Sequence, residues 1–154
     1  MGGIILYIQS KRFGEIEIEQ EKIISFLNGI MGFEILKKYI LIDHPGSSIL
    51  KWLQSAEAPE IALPIVDPMH FYPDYSPIIL KDELLQLEIE DISQAAVLCI
   101  VKIPQDIEKA SINLKAPVVI NPVRRLADQL IAENNGYLVK QPLCLSKQAE
   151  RRCR

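Results

Sequence analysis

Asp67, His70 and Asp74 are the residues whose types and closeness in sequence come nearest to a reactive set. One imidazole and two carboxylates could hold a divalent cation or move a proton. The same segment carries Pro68, Pro73, Phe71, Tyr72 and Tyr75, which favour an ordered turn whose carboxylates accept backbone hydrogen bonds and whose rings pack down on a sheet. The turn is the preferred reading, with an enzyme or metal protein kept as the alternative. His44 lies apart in His44-Pro45-Gly46, a surface turn that supports no Ser-His-Asp or Cys-His arrangement. Gly29 and Gly32 form no phosphate-binding loop, and no GxGxxG, Walker A or HExxH sequence occurs. Cys99, Cys144 and Cys153 are odd in number and lack a CxxC pair, so neither a disulfide framework nor a zinc site is indicated. Cys99 sits within Ala95-Ala96-Val97-Leu98-Cys99-Ile100-Val101 and reads as a small buried hydrophobe. No cofactor is implied.

With 154 residues, the chain is long enough for one domain with its own core. Hydrophobic residues make up 49% and charged residues 24%, values of a globular protein and not of a disordered one. The formal charge of -3 from 17 basic and 20 acidic residues draws the chain to neither nucleic acid nor anionic lipid. The start lacks a basic region before Ile4-Ile5-Leu6, and Asp, Glu, Lys or Pro interrupts every apolar run. A cytoplasmic location is expected, with no membrane segment.

The elements that must position these residues are mostly strands. Glu15-Ile16-Glu17-Ile18-Glu19 alternates with period two, and Lys11 to Gly14 supplies a turn from a preceding strand at Ile4 to Ile8. Ile23 to Phe26 and Tyr39 to Ile42 read as strands around the Gly29/Gly32 connection. Ser47 or Ser48 can cap a short helix through Ile49, Leu50, Trp52 and Leu53, with Lys51 and Gln54 facing out. Ile61 to Val66 is a strand in which Pro64 should mark an edge or bulge. Ile78 to Leu80 is expected to re-enter the sheet. Asp82 to Asp91 has a buried apolar side and a negative side, as helix or strand. Ala95 to Ile103 is the central strand, followed by Ile112 to Lys115 and Val118 to Ile120 around Pro117. For Arg124 to Ala132 a hairpin is favoured over a helix, with Asn134-Asn135-Gly136 as its turn into Tyr137-Leu138-Val139. The division expected is one β domain over 1–143 and a basic tail over 144–154 that carries Lys147, Arg151, Arg152 and Arg154.

In the absence of a catalytic set, the residue types left suit protein recognition: Trp52 and Gln54, the Phe71/Tyr72/Tyr75 loop, and Asn113, Lys115 and Asn121 around Pro117. Each has a competing structural role, the aromatics as core or loop anchors and the asparagines as partners of local backbone groups. A third reading, RNA binding through Arg124, Arg125 and the tail, lacks the broad basic surface it needs.

The order of motifs resembles the bacterial flagellar assembly factor FliW family: Phe13-Gly14-Glu15, Ile24 to Glu34, Trp52-Leu53-Gln54-Ser55, Asp67 to Tyr75, and Ile112 to Asn121. The resemblance spans nearly the whole domain. It implies a mainly β, compact β-barrel-like domain that binds flagellin and the RNA-binding translational regulator CsrA, relieving repression of flagellin synthesis without holding RNA itself. A cationic regulator points to Glu83, Glu88, Glu90 and Asp91, the densest acidic stretch, as its contact. Two departures stand out. The family usually carries an aromatic where Pro64 stands, and favours a glycine-containing turn before a β-type run at Arg124 to Gln129.

Overall fold

The computed structural model describes residues 3–143; the basic tail expected over 144–154 lies outside them. At the start of the chain the period-two alternation becomes a hairpin of β1 (Ile5–Ser10) and β2 (Gly14–Glu19). Ile16 and Ile18 are half-buried, the glutamates between them are exposed, and Gly14 takes the positive φ of 75° that closes the turn. The hairpin tip is tied to the rest of the chain by Ser10 Oγ donating to Gln54 Oε1 at 2.7 Å and by Lys11 N–H donating to Pro59 O at 2.8 Å.

The remaining strands are β3 (Ile24–Phe26), β4 (Lys38–Asp43), β5 (Leu50–Ser55), β6 (Ala62–Val66), β7 (Ala96–Lys102), β8 (Ser111–Ile112), β9 (Val118–Asn121), β10 (Leu126–Gln129) and β11 (Gln141–Pro142). One α-helix, α1 (Lys81–Gln86), precedes β7. β3 to β7 pair antiparallel in succession; β7 then pairs β9, β9 pairs β10, and β10 returns parallel to β3. Seven strands thereby close a barrel, while β8 and β11 extend from the far end of β7. Closure follows from β7, whose apolar run pairs with β6 on one side and with β9 and then β8 on the other.

Ile24, Phe26, Tyr39, Leu53, Ile65 and Val118 fill the barrel. A second cluster under the 67–75 segment contains Tyr75, Cys99 and Ile112, and a third under α1 contains Leu84, Leu87 and Val119. Cys99 is fully buried, and burial pushes its thiol up to about 12, so it packs as the hydrophobe its neighbours suggested.

Four expectations need correction. The segment after Ser47 is the strand β5 and not a short helix. Ser47 Oγ accepts the Ile49 and Leu50 N–H groups within the β4–β5 turn, and cross-strand pairing of Trp52 with Ile42 and Leu53 with Leu41 prevails over helical spacing. Gln54, expected to face out, is fully buried. Ile78 to Leu80 forms no strand and leads into α1. Arg124 to Ala132 does contain a strand, β10, but its hairpin partner is β9 through the Pro122–Arg125 turn; Asn134 to Gly136 joins no strands, and Tyr137 to Val139 is not one. Asn121 Oδ1 accepts the N–H groups of Val123 and Arg124, both at 3.1 Å, and Arg125 takes φ 56° where the family pattern favours a glycine turn.

Pro64 lies in a strand flanked on both sides, yet does no harm to the ladder. Ile61 O accepts from Ser55 N, so residues 61, 63 and 65 face β5 and Pro64 faces β7. Pairing with β7 covers only Ile65 and Val66, so the missing N–H falls where no ladder bond is made.

Tyr39 is fully buried in the barrel, edge-on to Phe26 at 4.9 Å, and its hydroxyl has no hydrogen-bond partner among the described residues. Burial, with Glu57 second, pushes its pKa up to about 12. A buried hydroxyl without a partner costs about 1–3 kcal/mol. Tyr39→Phe is therefore expected to leave stability unchanged or raise it by about 1 kcal/mol, measured by urea denaturation. A loss larger than about 1 kcal/mol would show that the hydroxyl is bonded and contradict this assignment.

Candidate functional site

The polar residues singled out for recognition prove to be largely internal ties. Gln54 accepts from Ser10 and donates through Nε2 to the carbonyls of Ser55 at 3.0 Å and Ile61 at 3.1 Å. It fastens the β1–β2 hairpin to the β5–β6 connection and offers no surface to a partner. Asn113, half-buried, accepts the Ala116 N–H at 2.9 Å. Lys115 spends its ammonium on the carbonyls of Ala132 at 2.7 Å and Asn134 at 3.3 Å. Asn121, 7% exposed, donates to Leu87 O at 2.9 Å and Glu88 O at 3.2 Å while capping the β9–β10 turn. Trp52 is 8% exposed: its indole N–H donates to His44 Nδ1 at 3.0 Å, and the Arg12 guanidinium lies 4.0 Å over its ring. These residues position the surface; they are not gathered into one contact.

The acidic stretch is different. In α1 and the turn after it, Leu84, Leu87 and Ile89 are buried, whereas Asp82, Glu88, Glu90 and Asp91 are exposed and Glu83 is half-buried. The helix stops because Glu88 takes φ 59°, which lets its N–H reach Leu85 O at 2.9 Å and sends Ile89 back to bond Leu84 O at 3.0 Å. Asp91 caps the following turn by accepting from Ser93 N at 2.9 Å, and that bond holds its carboxyl below the usual carboxylate range. The Glu88 carboxylate faces Arg124 at 3.8 Å in an exposed pair.

Two acids outside the stretch, exposed Glu133 and buried Asp128, add negative charge beside Glu83. Desolvation pushes the Glu83 carboxyl up, and repulsion from Glu133 and then Asp128 adds to it. Asp128 on β10 is 3% exposed and is satisfied by Asn28, whose backbone N–H donates at 3.0 Å and whose side-chain amide donates at 2.5 Å. Sequence reasoning missed Asp128 and Glu133 because only barrel closure brings β10 beneath α1. No local pattern announces it.

The Asp67/His70/Asp74 segment is a turn, as preferred. Asp67 Oδ1 accepts from Met69 N at 2.9 Å and begins a single helical turn over Pro68–His70. All three side chains lie on exposed residues, and among the described residues no group of three or more His, Cys, Asp or Glu is placed to hold a metal. Beside this turn runs a groove of about 440 Å³ lined by Asp67, Pro68, Met69, Ser76, Ile92, Ser93 and residues 95–98, which sequence reasoning also missed. Among the described residues no helix is long and apolar enough to cross a membrane.

Comparison with known proteins agrees with the motif order. The family model described as "FliW protein" matches residues 7–143. A flagellar assembly factor FliW of Bdellovibrio bacteriovorus is 38% identical over 90% of this chain and 79% of its own length. That of Ruminiclostridium cellulolyticum is 42% identical over 88% of this chain and 92% of its own. A crystal structure of the flagellar assembly factor FliW superposes with a TM-score of 0.83 at 30% identity, covering 92% of this chain and 99% of that one.

Glu83 supplies a pH test of the acidic face. A carboxyl raised in the folded state stabilises the fold below its unfolded pKa, and that contribution is lost as pH rises through the folded value. Glu83→Gln should raise the melting temperature at pH 7, and the gain over wild type should shrink toward zero near pH ~3.5, where both forms are neutral. A gain independent of pH, or a loss at pH 7, would mean that Glu83 is not under repulsion.

Proposed function

This chain belongs to the FliW family of flagellar assembly factors, and from that premise we propose that it binds flagellin and sequesters the translational regulator CsrA, relieving repression of flagellin synthesis in the cytoplasm. The observation that carries the second half is the acidic surface that follows α1, Glu88, Glu90 and Asp91, with exposed Glu133 near Glu83 and the buried charge of Asp128 behind it. A regulator that binds messenger RNA must present cationic groups to phosphates, and a fixed negative surface attracts those groups. The Glu83 carboxyl, pushed up by desolvation and then by the charges of Glu133 and Asp128, gains most from an approaching cation. Glu88 and Glu90 are the exposed contacts in this reading; Asp91 holds the turn that presents them.

The protein acts by occupying the regulator, not by catalysis and not by holding RNA. Arg124, one of the residues that an RNA-binding reading would use together with Arg125 and the tail, faces Glu88 in an exposed pair. Newly made flagellin competes for the factor and frees the regulator, while export of flagellin frees the factor. The barrel supplies a rigid frame, so affinity is not spent on ordering the face.

An equilibrium titration separates this mechanism from its rivals. Labelled target RNA, the regulator and this protein are combined, with a control that omits the regulator, and flagellin is added last. RNA release is expected only with the regulator present, and flagellin should restore the RNA complex. If this protein binds the RNA alone, or releases it without contacting the regulator, sequestration is wrong although the family assignment stands.

A further inference from the structure

Among the described residues, the inner half of β7 has one residue, Val97, whose backbone groups no neighbouring strand takes. Asn113 N donates to Ile100 O at 2.9 Å, so Ile100, and by alternation Leu98 and Ala96, direct their backbone groups to the β8/β9 side. The other side of the pairing agrees. Leu130 N donates to Pro117 O at 3.0 Å, which turns Pro117 and Val119 to β10 and leaves Val118 and Ile120 to bond Leu98 and Ala96. The amide and carbonyl of Val97 therefore point the opposite way, where β6 has already ended at Val66. Extending the Val66–Cys99 register places Pro68 across from Val97. Proline has no N–H to give, and the Pro68 carbonyl is taken by the N–H groups of Phe71 at 3.1 Å and Tyr72 at 2.8 Å.

Val97 thus presents a donor and an acceptor to the groove of about 440 Å³. Pro68, Met69, Pro77 and Ile92 give the groove an apolar lining, and Met69 is 55% exposed. Asp67 adds a carboxylate on one side, and Ser93 on the other is tied to the Asp91 carboxylate. An extended backbone is the chemistry that offers a matching carbonyl and N–H to a strand edge; a helix has none to spare.

We propose that this groove receives one extended, apolar segment of a protein partner with a basic residue on its flank, added as a short strand across Val97. The proposal rests on the partner-binding reading above and gives it a second, apolar contact beside the acidic face. The partner's backbone bonds Val97, its apolar side chain covers Met69, and its cation faces Asp67.

The test uses the full chain, ¹⁵N-labelled, against overlapping synthetic peptides of about 15 residues from flagellin and from the CsrA-type regulator, with the intact partners in parallel. In the free protein the Val97 amide should exchange quickly. A bound peptide should shift and protect it. N-methylation of the one peptide residue facing Val97 should abolish binding, Ser93→Trp should weaken it by about tenfold or more by filling the groove, and Asp67→Asn, which keeps the cap, should weaken it severalfold. A Val97 amide already protected in the free chain would show that the chain's own residues cover the edge and overturn the proposal. So would binding indifferent to N-methylation. If no peptide binds while both intact partners bind wild type and Ser93→Trp alike, the slot is wrong and sequestration survives; if neither intact partner binds wild type, both fall.

Discussion

The pairing of β7 with strands on both of its sides is the constraint on which the rest of the molecule depends. One apolar strand meets β6 on one side, and β9 and β8 in turn on the other. That single set of ladders closes the barrel, and closure carries β9 and β10 beneath α1, so that Asn121 can tie Leu87 and Glu88 while Val119 and Leu130 pack under Leu84. The acidic residues are thus held on a frame whose register is fixed at some distance from them. A closed barrel also leaves few open strand edges, which guards against indiscriminate pairing.

Much of this was legible wherever the chain speaks through local pattern. The alternation of Glu15 to Glu19 gave the outer face of the first hairpin, the apolar run at 95–103 gave the hub strand, and Asp67-Pro68 gave a turn because aspartate caps and proline starts one. The motif order pointed to the family that the comparisons then showed.

What escaped the sequence depends on segments remote along the chain. Trp52 to Ser55 are all buried, because the inner face of β5 meets the barrel core and its other face lies under the β1–β2 hairpin tip. Alternation cannot reveal a strand covered on both faces, so Trp52 and Gln54 read as helix and surface. Asn121 looked like a surface contact, yet its amide donates to Leu87 and Glu88 just after α1 and its oxygen accepts from the turn it caps. In both cases the hydrogen-bonding groups meet the protein itself. The acidic stretch kept its surface character because its apolar members, Leu84, Leu87 and Ile89, take the inward positions and leave the carboxylates outside.

A frame that fixes carboxylates outward is suited to capturing a cationic protein by long-range attraction, whose reach is about 10 Å at 0.1 M salt. The most direct measurement is the stopped-flow association rate of the CsrA-type regulator with wild type and with a Glu88→Lys/Glu90→Lys double variant across an ionic-strength series. The account requires the variant to associate more slowly at low salt, with a flatter salt dependence, and the two proteins to converge as salt rises. Equal rates and equal slopes throughout would remove the acidic face from the encounter and contradict it.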